Sequence, residues 1–176
     1  MKRTVILLRH AKAAPAESTP IDRDRPLIER GIRDCVTIGA FLRKKGLNPE
    51  VILCSSAKRT QETLRLVAGA ASWNGHANRQ ISDDLYLASA DDLITAVQHQ
   101  PATARSVMIV AHSPGIEEAA MRLAAEDDTP ERQALLDKFP TCGLAVLEFD
   151  DDWSKADRGL FKLERFVTPR MLALTG

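Results

Sequence analysis

Arg9-His10 and Ala111-His112 each close a short apolar run. Arg59 stands within Ser55-Ser-Ala-Lys-Arg59-Thr-Gln-Glu-Thr63, and Arg25 within Asp22-Arg-Asp-Arg25-Pro-Leu27. A guanidinium is a planar fork of donors that grips phosphate oxygens bidentately, which an ammonium cannot imitate. A neutral imidazole is a competent covalent nucleophile, and surrounding cations push its pKa down and keep it neutral at pH 7. Phosphoryl transfer spreads charge over three equatorial oxygens, so positioning and electrostatic stabilisation are most of what a protein must supply. His10, His112, Arg9, Arg25 and Arg59, with no paired acids obvious beside them, therefore specify an electropositive site for a phosphoryl group.

These groups act together only if the fold carries them to one place. Thr4 to Leu8 is a continuous apolar run rich in β-branched residues and reads as a strand buried on both faces. Val51 to Cys54 and Ser106 to Ala111 read the same way, and Gln80 to Leu85 as a short edge strand. Ile28, Ile32, Cys35, Val36, Gly39 and Leu42 recur at helical spacing, and Lys44-Lys45-Gly46 closes that helix. A second helix carries Leu64, Val67, Ala68 and Ala71, with Ser55 or Ser56 as its N-cap. Ala90 to His99 and Ile116 to Ala125 are further helices, the latter begun by Pro114. The stretch 72–78 reads as loop, 130–140 is helical at best, and 167–176 reads as tail. Gly143 to Phe149 and Gly159 to Phe166 form a hairpin across the acidic turn Asp150-Asp151-Asp152. Strands alternating with helices predict an α/β sandwich whose sheet is mostly parallel with an antiparallel end. In such sheets ligands bind beyond the carboxyl ends of the strands, where both His10 and His112 stand. The helix N-terminus after His112 adds backbone donors there.

The remaining candidates have plainer readings. His76 and His99 are packed or solvent-facing side chains, and Arg3, Lys12, Lys44 and Lys45 belong to solvated faces. Only four residues separate Cys54 from Arg59, one short of the C-x₅-R loop of a cysteine phosphatase, so Cys54 reads as a small core hydrophobe. The four histidines have no metal-ligand spacing, and there is no P-loop or G-x-G-x-x-G. The expectation is a site without metal or cofactor.

The chain of 176 residues suits one compact domain spanning 1–176, large enough to bury a core without staples. Lys+Arg and Asp+Glu are both 24, which argues against a nucleic-acid or membrane-surface protein held by bulk charge. The three cysteines form no C-x-x-C pair, the apolar run after Met1 is short for a signal peptide, and no stretch approaches the ~18 apolar residues of a spanning helix. A reducing cytoplasm is the expected compartment.

Leu8-Arg9-His10-Ala11, Ser55-Ser-Ala-Lys-Arg59-Thr-Gln-Glu-Thr63 and Val110-Ala-His112-Ser-Pro-Gly115 together resemble the histidine phosphatase superfamily, also called phosphoglycerate mutase-like. Arg25-Pro-Leu27 followed by Arg30-Gly31, and the short chain, resemble its small bacterial branch of SixA-type protein-histidine phosphatases. The resemblance runs from about Thr4 to Phe166. It implies a three-layer α/β/α sandwich. It also implies that His10 is the phosphoryl acceptor, that Arg9, Arg59 and His112 form the phosphate pocket with Arg25 as a fourth contact, and that His112 donates to the transferred group. A phosphorylated protein or a small phosphorylated metabolite is the implied partner.

Two departures stand out. Ala11 replaces the commoner glycine. Larger family members carry a glutamate general acid after the third strand, where this chain reads Ser82-Asp-Asp-Leu-Tyr-Leu-Ala88. Asp84 is the nearest substitute in a catalytic role, with Asp83 and Asp91 behind it. A positioned acid assists an alkoxide leaving group by about 10²–10⁴-fold, whereas phosphohistidine leaves as imidazole and needs less help. The expected substrate is thus phosphohistidine or another labile phosphate. A mutase-type phosphoryl transferase and a non-catalytic phosphate-binding protein on the same fold are the competing readings.

Overall fold

The computed structural model describes residues 1–73, 75 and 77–174. Six strands form one sheet: β1 (Arg3–Arg9), β2 (Val51–Ser55), β3 (Asn78–Ser82), β4 (Ser106–Ala111), β5 (Leu144–Phe149) and β6 (Lys162–Val167). Their spatial order is β3-β2-β4-β1-β5-β6. β3, β2, β4 and β1 are mutually parallel, and β5 runs antiparallel to both β1 and β6. Among the described residues six helices accompany them: α1 (Glu29–Lys45), α2 (Lys58–Ala70), α3 (Ala90–Gln98), α4 (Gly115–Leu123), α5 (Pro130–Asp137) and α6 (Pro169–Leu174). This is the expected α/β/α sandwich with a mostly parallel sheet. Among the described residues no helix is long and apolar enough to cross a membrane.

The unbroken apolar run of β1 follows from burial on both sides. Val5 and Leu7 pack with α3, α4 and α5, while Ile6 and Leu8 pack with α1 and α2. β1 is thus followed by a helix on one face, and its neighbour β4 by a helix on the other. A crevice opens between two adjacent strands whose connections part in this way, at their carboxyl ends. His10 and His112 are the first residues past those ends.

Several details differ from expectation. The buried stripe of α1 is Gly31, Cys35, Ile38, Gly39 and Leu42, leaving Ile28, Ile32 and Val36 exposed. The two glycines turn the helix: a Cβ on Gly31 would strike the Lys12 carbonyl, and one on Gly39 would meet Ala70 and the Val67 carbonyl in α2. Backbone-to-backbone contact outweighs the burial of two more aliphatic side chains. Gly46 ends α1 in the left-handed region at φ 65°.

Arg3 is buried rather than solvated, donating to the carbonyls of Ala102, Ala104 and Asp151 and lying over the Trp153 ring. Lys12, Lys44 and Lys45 are exposed. β5 and β6 pair as a hairpin, but residues 150–161 join them through a 3₁₀ turn at Trp153–Lys155 in place of a tight acidic turn. Much of the tail folds as α6 beside α1. α2 begins after Ala57 with no side-chain cap, so neither Ser55 nor Ser56 serves there.

Candidate functional site

Of the four parallel strands that end at the carboxyl edge of the sheet, β1, β2 and β4 bring the residues of the motifs there. β1 hands over to His10, whose backbone N–H donates to the Ala111 carbonyl at the end of β4. The next residue, Ala11, donates its N–H to Thr63 Oγ1 in α2. After the loop, Ile28 N–H donates to the Lys12 carbonyl as α1 begins. Gly31 lets α1 sit directly on that carbonyl, which holds the segment behind His10. On the other side Cys142 donates its N–H toward the carbonyls of Arg9 and His10. The nucleophile candidate is held by backbone on both flanks.

His112 follows β4, and Gly115 starts α4 against the carbonyl of Ala88, where a Cβ would collide. The Ser113–Pro114 peptide is cis. Arg59 lies in the first turn of α2 and is buried to 1% exposure. Thr60 Oγ1, donating to the Ser55 and Ala57 carbonyls, ties that turn to the end of β2.

The rings of His10 and His112 lie 5.3 Å apart, tilted by 59°. Nδ1 of His10 is 2.8 Å from the Ala11 carbonyl. A carbonyl only accepts, so Nδ1 carries the proton and the Nε2 lone pair is left free. For His112, Nδ1 lies 3.3 Å from Arg59 Nη2 and Nε2 lies 2.7 Å from Ser55 Oγ. A guanidinium only donates, so Nδ1 is the acceptor there and Nε2–H donates to the serine. Burial, joined by His112, Arg59 and Arg9, lowers the pKa of His10 to about 3. Burial and then Arg59 lower that of His112 to about 4. Both imidazoles are therefore neutral at pH 7.

Arg9 donates through Nη1 to the Phe139 carbonyl at 2.8 Å. Its Nε and that of Arg59 are buried without a partner. A buried donor left unpaired costs ~1–3 kcal/mol, and a bound oxyanion is the natural remedy for two of them beside an uncharged nucleophile. Arg25 reaches the site through Asp22, donating Nε to Oδ1 at 2.8 Å, and it donates Nη1 to the Ala14 carbonyl.

The fold thus brings His10, His112, Arg9, Arg59 and Arg25 to one edge. Asp84 is exposed on the 3₁₀ turn after β3, its backbone N–H held by Ser82 Oγ. Asp83 is exposed and pairs with Arg23, and Asp91 pairs with Arg122 on α4. The residue of that segment that reaches the histidines is Tyr86, whose ring meets His112 edge-on at 5.5 Å. His99 is exposed at the end of α3, and His76 lies outside the described residues. Cys54 is buried, and burial pushes its thiol up to about 12, far from a working thiolate.

Asp22 went unrecognised in the sequence, although it opens the motif that holds Arg25. Its Oδ2 accepts from Arg59 Nη2 at 3.1 Å and from Tyr86 Oη at 2.5 Å, and its carbonyl accepts from Arg59 Nη1 at 2.9 Å. The Tyr86 hydroxyl, with Arg59 and Arg25, holds the carboxyl down at about 2. A carboxylate does therefore stand at the electropositive site. Ser55, which the sequence offers only as an N-cap, and Tyr86, which stands inside 82–88, gain their roles at His112 only from the fold.

Neutral imidazole with a free lone pair, two guanidiniums with spare buried donors and a second imidazole across the gap form a cradle for a phosphoryl group. Comparison with known proteins gives the family. The model for the histidine phosphatase superfamily (branch 1) matches residues 5–85. An uncharacterized protein of Mycobacterium tuberculosis (strain ATCC 25618 / H37Rv) is 32% identical over 165 residues, covering 93% of this chain and all of the relative. A candidate phosphohistidine phosphatase SixA from Nakamurella multipartitia superposes with TM-score 0.83 at 29% identity, over 96% of this chain and 97% of that one. Another, from Agrobacterium tumefaciens, gives TM-score 0.80 at 32% identity, over 95% and 98%. With the motifs, the sheet order and these likenesses in agreement, the chain belongs to the histidine phosphatase superfamily and is a phosphatase of its SixA-like branch.

Proposed function

We propose that this phosphatase takes the phosphoryl group of its substrate onto His10 Nε2, passes it to water, and acts on phosphohistidine carried by a protein. The observation that carries the reading is the neutral His10 ring. Its Nδ1–H is tied to the Ala11 carbonyl, and its free nitrogen belongs to a ring 5.3 Å from that of His112. The substrate phosphate is gripped by Arg9 and Arg59. The Nε2 lone pair forms the new P–N bond while the bond to the leaving group breaks, its electron pair departing with that group. As the dianion arrives, His112 Nδ1 takes a proton from solvent, and its N–H then donates a hydrogen bond to a transferred oxygen while staying on the ring. Water then attacks phosphorus, and the electron pair of the P–N bond returns to Nε2.

The substrate class is supported by the likeness to candidate phosphohistidine phosphatases and by the absence of a glutamate from residues 82–88. Turnover measured across a phosphohistidine protein, sugar phosphates, phosphoglycerate and p-nitrophenyl phosphate tests it. The phosphohistidine protein should give the highest kcat/KM. Rapid denaturation with labelled substrate should leave label that His10→Ala loses. Absence of label on the wild type would return the chain to the class of phosphate binders, and transfer between phosphoglycerates would make it a mutase.

A further inference from the structure

Asp22 carries a charge that opposes the site's purpose. A carboxylate there repels an incoming dianion, yet the loop after β1 places it against Arg59, with a side chain 42% exposed at the mouth. Three of its acceptor positions are filled: Oδ1 by Arg25 Nε, and Oδ2 by Arg59 Nη2 and Tyr86 Oη. A carboxylate offers about four, so Oδ1 has one acceptor position to spare. Arg59 Nη2, to which Oδ2 is bonded, lies 3.3 Å from His112 Nδ1, so the carboxylate stands one guanidinium away from the phosphoryl cradle.

We propose that Asp22 selects the leaving group: its carboxylate accepts the N–H of a phosphorylated imidazole at the ring nitrogen remote from phosphorus, and so favours breaking P–N over P–O bonds. The inference rests on the reading of His10 as phosphoryl acceptor. In the step it serves, the substrate ring is an imidazolium, phosphorylated on one nitrogen and protonated on the other. The P–N bond breaks with its pair staying on the leaving nitrogen, and the ring departs as neutral imidazole with its proton in place. His10 Nε2 forms the new P–N bond, and the His10 ring takes over the positive charge. Charge and protons balance without an external acid. An alkoxide must instead be given a proton, and a carboxyl held at about 2 has none to give at neutral pH. Asp22 is thus an acceptor matched to a cationic ring, and it has no proton to give an alkoxide.

The test compares N-phosphoimidazole with p-nitrophenyl phosphate, whose nitrophenolate leaves without a proton, in wild type, Asp22→Asn, Asp22→Ser and Tyr86→Phe. Both Asp22 variants lose turnover on each substrate, because Arg59 loses an anchor. They should also lower the phosphoimidazole-to-nitrophenyl ratio of kcat/KM by about tenfold or more, the effect of one hydrogen bond to a charged group. Tyr86→Phe removes a donor to the same carboxylate while keeping its charge, and should hold the wild-type ratio. A smaller change in ratio, or an equal fall on both substrates, overturns the proposal and leaves Asp22 a support for Arg59. Two dead variants count as an equal fall. Wild type active on the nitrophenyl ester but inert to phosphoimidazole overturns this inference alone. Wild type inert to both, with no label on His10, ends the phosphatase reading first.

Discussion

At the scale of single residues, the two histidines differ in what holds them. His10 leans on a backbone carbonyl, whereas His112 hangs between the Ser55 hydroxyl and the Arg59 guanidinium. Ser55→Ala removes the acceptor that fixes the His112 tautomer, and kcat should fall about tenfold, the worth of one hydrogen bond near 1.4 kcal/mol, with KM less affected. The pH behaviour follows from the lowered pKa values of about 3 and about 4. The acid limb of kcat/KM should fall near or below pH 4, well under the ordinary histidine value of 6.5. Stability carries the same signature. Below pH 6.5 the unfolded chain takes up protons that the folded histidines refuse, so stability is full above 6.5 and declines as pH falls toward the folded values. Denaturant melts from pH 7 to pH 4.5 should show this slope, and His10→Ala should flatten it. A slope unchanged in that variant would contradict the buried neutral ring.

At the scale of elements, the site depends on two helices seated directly on backbone. Gly31 presses α1 on the Lys12 carbonyl and Gly115 presses α4 on the Ala88 carbonyl, whereas a Cβ on Gly69 in α2 would meet nothing within 4 Å. Gly31→Ala and Gly115→Ala should therefore cost about 1–3 kcal/mol through forced displacement, and phosphatase turnover should drop beyond the loss of folded protein. Gly69→Ala should instead stabilise by roughly 0.5–1 kcal/mol, because the helix interior penalises glycine. Thermal melts with turnover on the same samples check all three. The same contacts explain why the helical stripe read from Ile32 and Val36 was rotated. Periodicity counts aliphatic residues, but close approach of α1 to its neighbours required the side of the helix that carries Gly31 and Gly39.

At the scale of the molecule, β1 and β4 lie side by side, and the helices after them leave to opposite faces. That topology sets His10 against His112, although they lie far apart in the chain. A site built of spare donors should be stabilised by an anion that fills it. Inorganic phosphate at about 100 times its Kd should add ~2.7 kcal/mol to the folding free energy. Arg59→Ala should lose most of that gain, and a melting shift equal in both proteins would place the anion elsewhere.

The unbroken apolar runs within β1, β2 and β4 needed only local information, because burial on both faces keeps the middle of such a strand apolar. His10, His112, Arg9, Arg59 and Arg25 were legible for a related reason: they follow those runs at the edge where a parallel sheet must place its ligand. Asp22, Ser55 and Tyr86 were not, since each gains its meaning from a partner on a different element, and no periodicity encodes that pairing. Arg3 and α6 escaped in the same way. A buried cation is stabilised by carbonyls from 102, 104 and 151, and a six-residue helix is stabilised by the surface it covers rather than by its own propensity. Pattern marked histidines and arginines able to do the chemistry, and tertiary contact decided which nitrogen of His10 keeps a free lone pair.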